Sequence, residues 1–176
     1  MQKKEEEFFY QIKGNKIFFE KETKEYHKTL ATKLYKYILN ITLWDILTVP
    51  FIWICIIPAV FLDLFVSIYQ LICFKVYDIP KVKRNEYIVI DHQSLAYLNI
   101  IEKLNCVYCG YFNGLIAYIQ EIGARTEQYW CPIKHARKLK SIHSRYQKFF
   151  EFGDGQEYKK KFEAMRKDYS DLRSGK

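Results

Sequence analysis

The chain has 176 residues, a net charge of +8 and a mean hydropathy of −0.24. This length suits one modest domain plus a membrane element, and the positive charge favours anionic partners such as phosphates or acidic lipid headgroups. We expect no cleaved secretory leader, because residues 1–7 are polar and acidic. The mean hydropathy conceals the main feature of the chain, since it averages an apolar middle with charged ends.

The N-terminal region, residues 1–42, is predicted to be a hairpin followed by an amphipathic helix. Residues 8–20 hold two aromatic-rich runs around Gly14-Asn15, which is typical of a tight β-turn. Over residues 21–42, apolar side chains recur at spacings of three and four with lysines between them. That period predicts one helix leading into the apolar middle.

The apolar middle predicts a membrane segment over residues 43–75. From Leu43 to Phe74 the only charged residues are Asp45 and Asp63, and a helix needs about 20 apolar residues to cross a bilayer. Pro50 and Pro58 favour kinks or breaks within it.

Charge on the two flanks bears on how this segment lies in the bilayer. The net charge is +3 over residues 1–42 and +7 over residues 75–176, so the positive-inside rule does not favour a simple single crossing. We expect a bent or re-entrant element with both flanks in the cytoplasm. The alternative is one tilted, kinked transmembrane helix.

Polar residues within the apolar segment fall on one helical face. Asp45 and Asp63 are five helical turns apart, and Thr48, Ser67 and Gln70 lie close to the same face. A polar stripe on an apolar helix is expected to face protein rather than lipid. A seam against another helix or a second copy is favoured over a proton or ion path.

The C-terminal region, residues 76–176, is predicted to be a helical cytoplasmic domain with one short strand. The strand is expected at residues 86–91, and four helical patterns follow it. Their ranges are 93–104, 114–129, 132–150 and 156–172. The predicted fold is therefore mainly α with a small β element, mounted on the membrane segment.

Four residues of this region predict a metal site. Cys106, Cys109, Cys131 and His135 follow the pattern C-x2-C-x21-C-x3-H. Zinc favours tetrahedral sulfur and nitrogen ligands supplied in short-spaced pairs, so we predict that these four bind zinc and stabilise the domain. His92 and His143 are alternative ligands.

Other interpretations of these residues stay open. Cys106 and Cys109 also suit a thiol redox pair, and the cysteines can equally be ordinary core residues. A catalytic ion would use Glu127 or His143 as general base. The pairing expected for Glu127 itself is with Arg125, Lys134 or Arg137.

Six lysines and arginines over residues 134–148 predict an anion-binding face. Acidic lipid headgroups are the expected partner beside a membrane segment, and nucleic acid is not favoured. A protein partner or a second copy of the chain is a further possibility.

Residues 91–136 contain the segments DHQSLAYLN, EKLNCVYCGYFNG and ARTEQYWCPIKHA. They resemble a group of uncharacterised bacterial membrane-associated proteins. The resemblance implies a bacterial inner-membrane setting and brings no activity with it. The function we predict is a membrane-anchored accessory or interaction module with a metal-stabilised cytoplasmic domain. The alternative is a membrane-bound metal-dependent or thiol-redox enzyme.

Overall fold

The structure, a computed structural model, describes residues 7–14 and 16–173 and is mainly helical, with one small two-stranded sheet. The chain divides into two compact units. One contains residues 1–58 and 88–114, and the other contains residues 59–87 and 115–176. Each unit is described by itself below.

The first unit begins with the predicted hairpin. Strand β1 (Tyr10–Lys13) pairs antiparallel with β2 (Lys16–Phe19), and Tyr10 lies opposite Phe19 with the two ring centroids 5.8 Å apart. Gly14 has φ +62°, a conformation that glycine adopts without a side-chain clash. The hairpin prediction is confirmed, although Asn15 lies outside the described residues.

Two helices follow where the sequence predicted one. Helix α1 (Lys21–Leu30) and helix α2 (Leu34–Leu39) are separated by residues 31–33, and Ala31 adopts an extended backbone with ψ 127°. The apolar period of this region carries no signal for the break. Helical periodicity predicted correctly that this region is helical, but it did not predict the break at residues 31–33.

The apolar segment forms helix α3 (Leu43–Ile54) and helix α4 (Ile56–Val76). Thr42 and Asp45 form a capping box at the N-terminus of α3, in which Asp45 Oδ2 accepts from the Thr42 N–H at 2.9 Å. The interruption at Cys55 lies one turn before Pro58, which has no N–H to donate to the Ile54 carbonyl. Pro50 lies inside α3 without ending it.

The longest helix, α5 (Ile100–Trp130), contributes to both units. The two helices predicted at 93–104 and 114–129 are one continuous helix from Ile100 onward, so the expected gap between residues 104 and 114 is wrong, and residues 93–99 lie outside the helix. A Cβ added at Gly110 would lie 3.2 Å from the Val89 carbonyl oxygen. Gly110 therefore permits close packing against residue 89 instead of ending a helix.

Two glycines of α5 make this interpretation testable. G110A brings its new methyl group against the Val89 oxygen, whereas a Cβ at Gly123 meets nothing within 4 Å. We expect G123A to raise the free energy of unfolding by up to about 1 kcal/mol, the helix propensity difference. G110A should lose that gain and fall about 1 kcal/mol below G123A. Equal melting temperatures for the two variants would contradict the close approach.

The second unit packs most of α4 and the second half of α5 with helix α6 (Gly155–Met165) and helix α7 (Ser170–Arg173). Its most deeply buried side chains include Phe74, Leu115, Tyr118 and Tyr169, each at most 2% exposed. Asp154 caps α6 by accepting from the Glu157 N–H at 3.0 Å. The predicted helix 156–172 is thus two shorter helices.

Two predicted elements of the C-terminal region are wrong. Residues 86–91 form no strand, because β1 and β2 pair only with each other in the described sheet. Residues 132–150 form no α-helix. Ile133 instead bridges Phe150, and the N–H of Lys134 donates to the Phe150 carbonyl at 2.8 Å. Repulsion between like charges at helical spacing, such as Lys134 and Lys138, disfavours the predicted helix.

Candidate functional site: a membrane segment with a polar seam

The apolar segment has the length, composition and exposure of a membrane segment. Residues Leu43–Val76 include a window of mean hydropathy 2.5, of which only 6% is buried. A core helix of a soluble protein passes the same test of length but is mostly buried. Large apolar side chains of α3 and α4 are instead exposed, among them Trp44, Phe51, Phe61, Phe65, Ile68 and Ile72.

Helix α4 turns a polar seam toward the rest of the second unit. Gln70 is 7% exposed, and its side chain makes three hydrogen bonds. Its Nε2 donates to Tyr118 Oη at 2.9 Å and to the Val82 carbonyl at 3.3 Å, and its Oε1 accepts from the Val82 N–H at 2.6 Å. A buried amide with these partners needs no water. The predicted protein-facing stripe is therefore present on α4, whereas Asp45 and Thr48, which the same prediction included, are exposed and form hydrogen bonds at the start of α3.

The charged residue of α4 also has a partner in the same unit. Asp63 Oδ2 accepts from Arg84 Nη2 at 2.7 Å, and Ser67 Oγ donates to Asp63 Oδ1 at 3.4 Å. Asp63, Ser67 and Gln70 recur at helical spacing, so one side of α4 is polar and engaged. The charge of Asp63 on this apolar helix is therefore paired within the second unit.

The opposite side of α4 is apolar and exposed. Phe65, Ile68 and Ile72 lie there, on the face turned away from Gln70. We call these three residues the outer face. Lys75 follows in the last turn of α4, where a long cationic side chain can reach lipid headgroups.

In the first unit, Tyr108 supports the end of α3. Its hydroxyl donates to the Ile52 carbonyl at 2.9 Å, and its ring lies 5.3 Å from that of Trp53. The same carbonyl also accepts from the Cys55 N–H at 3.3 Å, so Tyr108 adds a second hydrogen bond at the end of α3. No local pattern marks Tyr108 for this role, because its partner lies 56 residues away in sequence.

The four predicted metal ligands lie in different parts of the secondary structure. Cys106 and Cys109 lie in α5, and Cys131 follows its last residue, Trp130. Cys106 and Cys109 belong to the first unit, whereas Cys131 and His135 belong to the second.

The environments of these residues are those of ordinary helix and loop side chains. Cys109 and Cys131 are exposed, and Cys106 is half-buried. His135 stacks its ring on Tyr146 at a centroid distance of 6.4 Å. Among residues 7–14 and 16–173, no group of three or more histidine, cysteine or acidic side chains is placed to hold a metal ion. The zinc site stays a prediction.

Glu127 has a different partner from those predicted. Its Oε2 lies 2.9 Å from His143 Nε2, whereas Arg125 Nε donates to Glu121 Oε1 at 2.8 Å. The His143 Nε2 is nevertheless poorly aligned for a hydrogen bond. We treat the contact as electrostatic only, effective when the imidazole is charged.

A buried polar network holds the C-terminal elements together. Gln128 is fully buried; its Nε2 donates to the Met165 carbonyl at 3.0 Å and to the Asp168 carbonyl at 2.7 Å. Its Oε1 accepts from Arg145 Nε, and Arg145 Nη2 reaches Asp171 Oδ1 at 3.0 Å. Arg145 is 2% exposed, although the sequence placed it on a basic surface.

The electrostatics of this network follow from burial and charge. Burial alone would raise the pKa of Asp171, but hydrogen bonds from Arg145 and Lys148 and their positive charges lower it to about 2. Burial also raises the pKa of Tyr169 to about 12. The Tyr169 hydroxyl donates to the Arg125 carbonyl at 2.9 Å, and that bond persists throughout the physiological pH range.

Acid should weaken this network through Asp171. The pKa of Asp171 is lower in the folded chain than in the unfolded chain. The ionised carboxylate therefore stabilises the fold fully above pH 3.8, the unfolded pKa, and this stabilisation is lost as the pH falls through about 2. Because the side chain is 43% exposed, we expect an effect of only about 1 kcal/mol. The melting temperature of D171N should lie below that of the unmodified chain at pH 6, and the gap should close by pH 2. A gap that is constant over this range would contradict the assignment.

The basic segment 134–148 divides into structural and exposed cations. Arg145 is buried, Lys148 lies 2.9 Å from Asp171, and Lys134 lies 2.5 Å from Glu151. The remaining three form no ion pair with any residue the structure describes, and all three are exposed: Arg137, Lys138 and Lys140. Only these three are left to bind an external anion.

No family model, curated protein or solved structure matches this chain. The functional proposal consequently rests on its residues and their contacts.

Proposed function

We propose that this chain is a membrane-anchored accessory or interaction module. On this proposal α3 and α4 anchor it in the bilayer, and its C-terminal part faces the cytoplasm. The observation that carries the proposal is the exposure of the apolar segment, of which only 6% is buried. Burying that surface in lipid stabilises the chain by roughly 25 cal/mol per Å² of apolar area. The resemblance of residues 91–136 supports a bacterial inner membrane as the setting.

Helix lengths and flanking charge support a bent element with both flanks on the cytoplasmic side. Helix α3 has 12 residues and α4 has 21, or about 18 Å and 32 Å. A bilayer core is about 30 Å thick. The interruption at Cys55 and the basic charge on both flanks favour re-entry. The length of α4 favours the alternative, a single span, because α4 alone is long enough to cross.

Reporter fusions at the two termini test this topology. A bent element predicts cytoplasmic signals from both fusions, and a single span predicts opposite signals. A periplasmic signal from the C-terminal fusion would contradict the proposal in either form.

Acidic lipid headgroups are the partner that the exposed charges support best. Arg137, Lys138 and Lys140 are exposed, and Leu139 and Ile142 are exposed between and beside them. Such a mixture of cationic and apolar side chains suits the surface of an anionic membrane, where each cation contributes about 1 kcal/mol. A protein partner or a second copy of the chain remains a prediction.

The alternative function is a thiol-redox enzyme, and one observation favours it. Cys106 and Cys109 are three residues apart within α5, so they are neighbours on one helical face. Cys109 is exposed and reachable by a substrate thiol. Loss of thiol–disulfide exchange activity in C109S, with C131S active, would support this enzyme over an accessory module.

The predicted zinc site has its own test, which is the metal content of the purified chain. If the site exists, the purified chain carries about one zinc ion, which C109S and C131S each lose to the same extent. A chain without zinc would reject the predicted site.

A further inference from the structure

The first unit contains an apolar cavity between the hairpin, α1 and the loop before α5. Its volume is about 480 Å³, within the range of about 300–1,000 Å³ that small-molecule sites occupy. Its wall is almost entirely aromatic or aliphatic and consists of Phe8, Tyr10, Phe19, His27, Leu30, Leu95 and Tyr97. A cavity of this lining suits a hydrocarbon chain.

A smaller cationic cavity of about 270 Å³ adjoins this wall. Phe19 lines both cavities. The cationic cavity is also lined by Lys24 and Lys103, with the hydrogen-bonding side chains of Gln93 and Ser94 beside them. Within the described part of the chain, neither lysine forms an ion pair with a carboxylate. Two such ammonium groups attract an anion.

A third cavity on the same face of the hairpin has the opposite charge character. It shares Tyr10, Phe19 and Leu95 with the apolar cavity, and it is also lined by Asp91 and His92. The Asp91 carboxylate repels an anion. An anionic group whose chain fills the apolar cavity is thus directed to Lys24 and Lys103.

We propose that the first unit binds one anionic single-chain amphiphile. Its acyl chain fills the aromatic cavity, and its phosphate or carboxylate headgroup pairs with Lys24 and Lys103. The chain and the headgroup each have a cavity of matching chemistry, and Phe19 forms the boundary between them. This inference goes beyond anchoring, because it assigns a ligand to residues outside α3 and α4.

Photo-crosslinking with a lysophosphatidate that carries a diazirine in its oleoyl chain tests the proposal. The full chain is placed in phosphatidylcholine nanodiscs, irradiated and mapped by peptide mass spectrometry. We expect label on the peptide that contains Leu95 and Tyr97. The K24E/K103E variant should lower that label at least tenfold, and K21E, with a charge change on the same helix outside both cavities, should leave it unchanged. Melting curves that match between K24E/K103E and K21E exclude unfolding as the cause.

Controls with other ligands and other labelled regions show whether the label comes from the proposed site. Equal labelling by the matching neutral monoacylglycerol, or undiminished labelling of K24E/K103E, would overturn the proposal. Competition by inorganic phosphate alone would assign the cationic cavity to free phosphate and would also overturn it. Label on α3 and α4 without label at Leu95 or Tyr97 would reject this site and leave the anchor intact. Absence of label from α3, from α4 and from the peptide with Leu95 and Tyr97 would contradict both the proposed site and the membrane anchor.

Discussion

Replacing Phe65 and Ile68 together with arginine should move the protein from the membrane fraction to the soluble fraction. Both residues belong to the outer face of α4 and are exposed. Each arginine placed at the centre of a membrane helix costs about 2.5–3.5 kcal/mol. Because neither side chain is part of the buried core, the second unit should remain folded after release.

The matched control keeps the outer face apolar. F65A/I68A shortens the same two side chains without adding charge, and we expect it to stay in the membrane fraction. Fractionation followed by melting of the released protein measures both consequences. F65R/I68R that remains in the membrane as fully as F65A/I68A would show that this face does not contact lipid.

Replacing Arg145 with alanine should destabilise the second unit more than any other single change to the basic segment. The substitution leaves Oε1 of the fully buried Gln128 without its donor. An unsatisfied buried group costs about 1–3 kcal/mol, and loss of the ion pair with the 43% exposed Asp171 adds about 1 kcal/mol. For a chain of this size we expect the melting temperature to fall by about 10 °C.

R137A is the control for this substitution. Arg137 lies in the same segment but is exposed, so its loss should change the free energy of unfolding by no more than about 0.5 kcal/mol. Thermal melting of the two purified variants, followed by tryptophan fluorescence, makes the comparison. Melting temperatures within about 2 °C of each other would contradict the buried network.

Local features of the sequence predicted the membrane segment and the hairpin. The run from Leu43 to Phe74 needs only composition to be recognised, and Gly14 with its aromatic flanks needs only turn chemistry. The interruption at Cys55 also follows from a local cause, the missing N–H of Pro58. In each case the structure is determined within about one turn of helix or one hairpin.

Contacts between distant positions explain what the sequence could not predict. Arg145 resembles its exposed neighbours in sequence, and only its contacts with Gln128 and Asp171 reveal it as a core residue. Gly110 resembles a helix breaker until the Val89 oxygen is found beside it. The spacing of Cys106, Cys109 and Cys131 predicts a zinc site from local pattern alone, and that site stays a prediction.

Alkaline carbonate extraction of membranes that contain the unmodified chain tests the central claim most directly. High pH removes proteins held only by charge, but it leaves proteins whose apolar segments are buried among acyl chains. The exposed surface of Leu43–Val76 predicts that the chain stays in the membrane pellet. Recovery of the intact chain in the carbonate supernatant, still folded, would contradict insertion of that segment in lipid.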